Sequence, residues 1–290
     1  MDRWIIVTGA NGGMGRAITE SLAKAGHPVV MACRNTERSM DIRNRIVNES
    51  GNRKVELLRL DLSSFDSIHR FVEQLDDREV GGLVNNAGIM CKEFSVTPDG
   101  LETTVGVNYV GPWLLTRLLL PYMGINKISR IINVSSCTFR IGKIDEYFFE
   151  PVRENFRRFK AYSASKRAIL LYTSELADRL KEKSVVVNAV DPGVVNTGMI
   201  TMHQWFDPLA DRFFRPFIQS PEKGADTTIW LTTSKEAENY TGCFFRKRKE
   251  RKLPDDMLDR ENRVRLWKAT EDFLEKKRGI RFQDKVSLSF

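Results

Sequence analysis

"VTGANGGMGRA", residues 7–17, sets Gly9, Gly13 and Gly15 between a short apolar run and the start of a segment with helical periodicity. A turn of this kind lets backbone N–H groups approach a pyrophosphate at the positive end of a helix. Glycine admits the dihedrals required and leaves no Cβ in the way. Asn11 and Met14 belong to the same turn and are further candidate cofactor contacts. A glycine turn can equally serve only to pack a strand on a helix, so its meaning depends on what surrounds it.

Strand-length apolar runs alternate with helix-period segments from the first residues onward. Strands are predicted at 4–8, 28–33, 54–62, 80–88, 128–136 and 184–190, and helices at 14–26, 36–50, 63–75, 101–123 and 161–183, with a C-terminal helix over about 256–276. The alternation predicts an α/β fold of Rossmann type, a doubly wound parallel sheet with helices on both faces. No internal repeat or low-complexity linker divides the chain, so all 290 residues are read as a single domain. Two stretches interrupt the rhythm. The first, 137–160, is rich in Phe and Tyr, and the second, 199–220, contains "MHQWFDPLADRFFRPF"; both follow predicted strand ends on the ligand-binding side of such a sheet and are lid candidates.

An apolar share of 41% and a charged share of 29% are those of a folded soluble chain. No stretch approaches the ~20 unbroken apolar residues of a membrane span, and the N-terminus has no signal-peptide pattern, so a cytoplasmic location is expected. Cys33, Cys91, Cys137 and Cys243 show no metal-ligand spacing and the three histidines no HExxH, so no metal site is expected. The net charge of +8 has a local source in "FFRKRKERKL", 244–253. It reads either as a solvated surface segment or as an attractor for anionic lipid or an anionic ligand. Nucleic acid is the weaker option, because aromatics do not interleave with the cations.

Further motifs stand in order along the chain: "NNAG" at 85–88, Asn108, Ser136, the pair Tyr162 and Lys166 in "AYSASKRA", and "DPGVVNT" at 191–197. Together with the TGxxxGxG turn they resemble the short-chain dehydrogenase/reductase family from Trp4 to about Leu274. "VMACRN", "VNYVGPWLLT", "RIGKI", "SPEKGADTTIWL", "YTGCFF" and "RLWKATEDFL" resemble its retinol dehydrogenase-like members. The resemblance implies an oxidoreductase that moves a hydride between a dinucleotide and a carbonyl or alcohol. It implies the catalytic set Asn108, Ser136, Tyr162 and Lys166, with Ser136 bonding the substrate oxygen, Lys166 also holding the nicotinamide ribose and Asn108 positioning a water. It places Asn86, Ala87, Gly88, Pro192, Gly193, Val195 and Thr197 among the cofactor contacts. Ser135 competes with Ser136, and the family pattern favours Ser136.

Dinucleotide choice is declared at the end of strand two, where a carboxylate would accept the ribose hydroxyls of NAD. Cys33 and Arg34 stand there, so NADP(H) is the expected cofactor, with NAD(H) as the alternative and a plain surface arginine as the other reading of Arg34. Asp61 and Leu62 correspond to family residues near the adenine, although Asp61 also suits a capping role with Ser63 and Ser64.

Four residues apart on a helix, Tyr162 and Lys166 share a face. A phenol of pKa about 10 needs a shift of ~3 units, roughly 4 kcal/mol, to ionise near neutrality, and a nearby ammonium joined by the positive nicotinamide of the oxidised cofactor acts in that direction. Tyr162 is therefore the expected general acid/base. The aromatics of the two interruptions, among them Tyr147, Phe148, Phe149, Phe156, Phe159, Trp205 and Phe206, read as core or as the wall of a site for a lipophilic ketone, aldehyde or alcohol. A dinucleotide-sensing protein is the rival reading, although such proteins usually lack the Tyr/Lys pair. A homodimer through the helices bearing Asn108 and Tyr162 is possible on the family pattern and left open here.

Overall fold

The computed structural model describes residues 3–195 and 219–279. The run Trp4–Thr8 forms β1, and its side chains alternate between two cores. Ile5 and Val7 join one cluster with Ile18, Leu22 and Met31, while Ile6 joins the other with Val30, Phe71 and Trp113. A parallel strand covered on both faces has this near-continuous apolar character. The chain continues through α1 (Gly13–Lys24), β2 (Val29–Cys33), α2 (Thr36–Ser50), β3 (Val55–Arg59), α3 (Phe65–Glu73) and β4 (Val80–Asn85). Side chains of Asn35 and Ser64 cap α2 and α3 by accepting the N–H groups of Arg38 and Ser67.

The predicted helix at 101–123 is a composite: α4 (Thr103–Val105), a π-turn at Gly106–Val110, α5 (Gly111–Leu119) and a 3-10 turn at Leu120–Tyr122. After β5 (Ser129–Val134) the chain makes 3-10 turns at Cys137–Ile141 and Arg153–Asn155. It then enters α6 (Arg158–Arg179), three residues earlier than expected, and β6 (Val185–Val190). Helix α7 (Pro221–Thr233) is capped by Ser220. The expected C-terminal helix is two, α8 (Asp255–Leu258) and α9 (Arg260–Arg278), separated by Asp259, whose carboxylate caps α9.

Among the described residues the strands form one sheet in the order β3-β2-β1-β4-β5-β6-β7-β8. The last two were not expected. β7 (Phe244–Arg246) pairs parallel to β6, and β8 (Lys249–Glu250) returns antiparallel at the edge. Lys247 and Arg248 make the turn between them, each with φ of 54°, so the basic segment is an edge hairpin rather than a featureless strip. Phe245 anchors it beneath Trp230 and Tyr240, and the lysines along its rim disfavour edge-to-edge pairing. Strand order reverses between β1 and β4, and the crevice at their carboxyl ends is where such sheets bind ligands.

The first aromatic interruption is partly core. Phe148 is buried against Tyr109 at 5.7 Å, and Phe149 stacks on Phe273 at 5.6 Å, whereas Tyr147 and Phe159 remain exposed. The second, with Trp205 and Phe206, lies outside the described residues. No described helix is long and apolar enough to cross a membrane, and no described group of three or more His, Cys, Asp or Glu could hold a metal.

Helix α9 closes the face formed by α5 and α6. Trp267 stacks on Tyr172 at 5.8 Å, meets Trp113 edge-on at 5.2 Å and lies under the Arg179 guanidinium at 4.2 Å. Deleting a buried indole costs ~3–5 kcal/mol. Trp267→Ala is therefore expected to lower the free energy of urea unfolding by about that amount, and a loss under ~1 kcal/mol would show that α9 is only loosely docked.

Candidate active site

The glycine turn is built by close approach. Gly9 has φ of 63°, and a Cβ on it would lie 3.1 Å from the Ala87 Cα; a Cβ on Gly15 would lie 2.2 Å from the Gly9 carbonyl oxygen. No side chain can stand at either position without moving backbone. Gly12 precedes α1 and offers no side-chain cap, and the first turn has no acidic residue, so the amides of Gly13 and Met14 are kept for an outside anion. A dinucleotide pyrophosphate fits this cradle, and Gly9, Asn11, Gly13, Met14 and Gly15 would hold it.

Thr8 ties the turn to β4, a role that sequence reasoning missed. Its hydroxyl oxygen accepts the N–H groups of Asn86 (3.0 Å) and Ala87 (2.9 Å), and the Asn86 side-chain amide returns a bond to the Thr8 carbonyl at 2.8 Å. Gly88 follows directly, so the "NNAG" segment lies against the glycine turn. Asn11 reaches the other way, donating to Ser39 Oγ at 2.9 Å beside the start of α2. Cys33 ends β2 fully buried, with its thiol pushed up by burial. Arg34 beside it is exposed and forms no ion pair among the described residues.

Asp61 closes a local turn ahead of α3. Oδ1 accepts the N–H of Ser63 at 2.9 Å and its hydroxyl at 2.6 Å, while Ser64 caps α3 itself. Leu62 is buried in the core, its carbonyl so near α5 that a Cβ on Gly111 would meet the oxygen at 2.3 Å.

Ser136, Tyr162 and Lys166 converge at the carboxyl end of β5. The Lys166 Nζ is 5.6 Å from the centroid of the Tyr162 ring and donates to the Val134 carbonyl at 3.0 Å. The two serines separate clearly. Ser135 is 2% exposed and spends its hydroxyl on the Lys166 carbonyl at 2.9 Å, whereas Ser136 is half-buried, accepts the Thr138 N–H at 3.4 Å and acts to lower the pKa of the Tyr162 phenol. Asn108 sits in the π-turn. Its Oδ1 accepts the Ile89 N–H at 2.8 Å, and its Nδ2 donates to the Ile89 carbonyl (2.8 Å) and to Ser165 Oγ (3.0 Å).

The electrostatics differ from the expectation drawn from spacing. Burial pushes the Tyr162 phenol above its usual range, with Cys137 and Asp191 adding to the rise and the Ser136 hydrogen bond opposing it. Burial also brings Lys166 down to about 8. Desolvation is the largest effect on both members of the pair, so the chain's own residues favour a protonated phenol at neutral pH.

At the end of β6, Gly193 takes φ of 79° and donates its N–H to Asp191 Oδ1 at 2.9 Å, after Pro192. Val195 pairs with Gln219 and packs on α7, where a Cβ on Gly224 would lie 2.5 Å from its Cγ2. Thr197 lies outside the described residues. The expected residues thus gather near the carboxyl ends of the strands, with Leu62 in the core and Thr197 outside the described residues.

The short chain dehydrogenase family matches residues 3–205. Retinol dehydrogenase 12 of Homo sapiens is 34% identical over 281 residues, covering 96% of this chain and 87% of that protein. Among solved structures, a protein from Mycobacterium paratuberculosis superposes with a TM-score of 0.75 at 27% identity, over 94% of this chain and 93% of that one. Pseudomonas aeruginosa RhlG, in an NADP active-site complex, gives a TM-score of 0.68 at 25% identity, over 84% and 93%. The chain belongs to the short-chain dehydrogenase family, in its retinol dehydrogenase-like branch, and is an NAD(P)-dependent oxidoreductase acting on alcohol or carbonyl groups.

Proposed function

We propose that the protein reduces a lipophilic ketone or aldehyde with NADP(H), or oxidises the corresponding alcohol, with Tyr162 as the acid/base. The observation that carries this reading is the meeting of Ser136, Tyr162 and a buried Lys166 after β5, at the same end of the sheet as the glycine turn after β1. A reduced dinucleotide bound there supplies hydride to the carbonyl carbon. Ser136 orients the carbonyl oxygen by donating its hydroxyl proton, and Tyr162 transfers its phenolic proton to that oxygen. A phenol held above its usual pKa is in the acid form that reduction needs. Lys166 places a positive charge near the phenolate left behind and limits the cost of forming it.

Support for NADP(H) over NAD(H) comes from the absence of a carboxylate at the end of β2 and from the exposed guanidinium of Arg34, which forms no ion pair among the described residues. Support for a lipophilic substrate comes from the exposed apolar residues close in sequence to the catalytic set: Ile141, five residues after Ser136, and Phe159, three before Tyr162.

NADPH consumption against a steroid ketone, an isoprenoid aldehyde and an aromatic aldehyde tests the substrate class. Tyr162→Phe is expected to lower kcat at least ~100-fold while NADPH affinity stays within about threefold. Wild-type turnover by that variant would refute the proton-donor role. A charge-assisted hydrogen bond is worth ~1.5–3 kcal/mol, so Arg34→Ala should weaken NADPH binding roughly 10- to 100-fold and leave NADH nearly unaffected. Fluorescence titration with both nucleotides measures this, and an equal loss for the two would return Arg34 to the solvated surface.

The Lys166 ammonium titrates at about 8 in the fold against 10.5 as a free side chain, so between those values the unfolded chain binds more protons and stability rises with pH. Below pH 8 the buried charge therefore costs stability. Lys166→Met should abolish turnover and yet raise Tm at pH 7, with the gain over wild type shrinking by pH 10. In the wild type, kcat for reduction should fall as pH rises through about 8, where Lys166 loses its charge. A Lys166→Met protein less stable than wild type at pH 7 would contradict the desolvation cost.

A further inference from the structure

Two hydroxyls near the catalytic pair are fully buried and are not among the groups that would touch substrate. Ser165, 0% exposed, lies on α6 between Tyr162 and Lys166 and donates to the Tyr162 carbonyl at 2.7 Å. A helical serine often bonds a carbonyl of its own preceding turn and does nothing more. Here the same oxygen also accepts the Asn108 Nδ2–H at 3.0 Å, from a residue 57 positions earlier. With Ile89 accepting the second Nδ2 hydrogen and donating to Oδ1, the Asn108 side chain has every hydrogen and one oxygen lone pair engaged. The backbone of Tyr162 is thereby joined through Ser165 and Asn108 to Ile89, the residue that follows "NNAG". Ser135 acts on the other side. Its hydroxyl holds the Lys166 carbonyl at 2.9 Å while the neighbouring Val134 carbonyl holds Nζ at 3.0 Å, so adjacent residues of one strand end grip both ends of the lysine.

We propose that Ser165 and Ser135 are positioning residues for proton transfer, bracing the Tyr162 and Lys166 backbone of α6 against the loop after β4 and the end of β5. The proposal rests on Tyr162 and Lys166 being the proton-transfer pair, yet its mechanical half stands apart from that reading. Neither serine touches substrate; each acts through a group that does. Buried and hydrogen-bonded on both sides, Ser165 has no water to replace its hydroxyl, and its loss leaves an Asn108 N–H unpaired. Asn108 must then turn, and the Ile89 amide loses its acceptor.

The test uses the full chain, NADPH and 4-nitrobenzaldehyde as the probe carbonyl, with hydrogen exchange followed on the peptide spanning 86–92. Ser165→Ala is expected to speed exchange at Ile89 by ~10-fold or more and to lower kcat about 10-fold. A merely structural serine would act independently of Asn108. As a brace, Ser165→Ala combined with Asn108→Ala should lower kcat no further than Asn108→Ala alone. Ser135→Ala should lower kcat by a similar factor with unchanged exchange at Ile89, since its partner is Lys166. Should Ser165→Ala not fold, Ser165→Cys, which keeps the volume and weakens the bond, is read in the same way. Unchanged exchange at Ile89 in a folded variant, or multiplicative losses in the double variant, overturns the brace. Tyr162→Phe run in parallel separates the two ideas: retained turnover there sinks the proton-donor reading, while the exchange result still decides the brace.

Discussion

The first turn of α1 touches the loop that leads into it, and the site depends on that contact. With Gly15 directly under the Gly9 carbonyl, no atom can be added to the helix face, and the helix axis points its free amides into the crevice between β1 and β4. Thr8 and Asn86 then fasten the two strand ends to each other at this point of reversal. The sheet is otherwise a regular parallel array; what makes it a binding site is that two loops leave it on opposite sides and are held within hydrogen-bond distance. Helix α6 brings the chemistry to this cradle.

That much was legible in the sequence because its determinants are local. Glycine spacing, apolar run length and the Tyr162/Lys166 interval each constrain backbone or face over a few residues, and the sheet order follows from the alternation of elements. What escaped depends on distant partners. The β7–β8 hairpin is short, polar on its rim, and owes its strand character to Phe245 packing under Trp230 and Tyr240; periodicity cannot see this. Thr8 looked like the last residue of a strand, and only the position of β4 shows why a hydroxyl is needed there. Burial of Phe148 and partial burial of Phe149, two of the supposed ligand-wall aromatics, are likewise decided by Tyr109 and Phe273. The Tyr162/Lys166 interval also reports a nearby cation but not the depth at which both groups sit, and burial raises the phenol and lowers the ammonium.

Desolvation gives the Tyr162–Lys166 pair its particular character. A lysine at the protein surface would be a solvated charge with little influence on a phenol several ångströms away. Burying it makes the charge effective and at the same time expensive to keep, which is why Nζ is anchored on the Val134 carbonyl and why its pKa falls to about 8. Tyr162, raised by the same burial, stays protonated. The fold thus sacrifices stability at this position for a phenol and a cation confined to one geometry, a common feature of sites that shift pKa values.

Holding that geometry is a task for the whole of α6, and the helix is fixed from three directions. At its start, Ser165 and Ser135 attach the Tyr162 and Lys166 carbonyls to the loop after β4 and to β5. Along its middle, Thr173 receives the Asn133 side-chain amide at 2.9 Å, and Asn133 in turn accepts from Asn85 at 2.8 Å, a polar line running beneath the site from β4 through β5. On its outer face, Tyr172 stacks with Trp267 of α9. Each set of contacts resists a different motion: axial sliding, lift from the sheet and rolling about the helix axis. A phenol placed by only one of them would wander by more than the fraction of an ångström that proton transfer tolerates. Covering α6 with the chain's own C-terminal helix therefore fixes Tyr162 and Lys166 as well as the core.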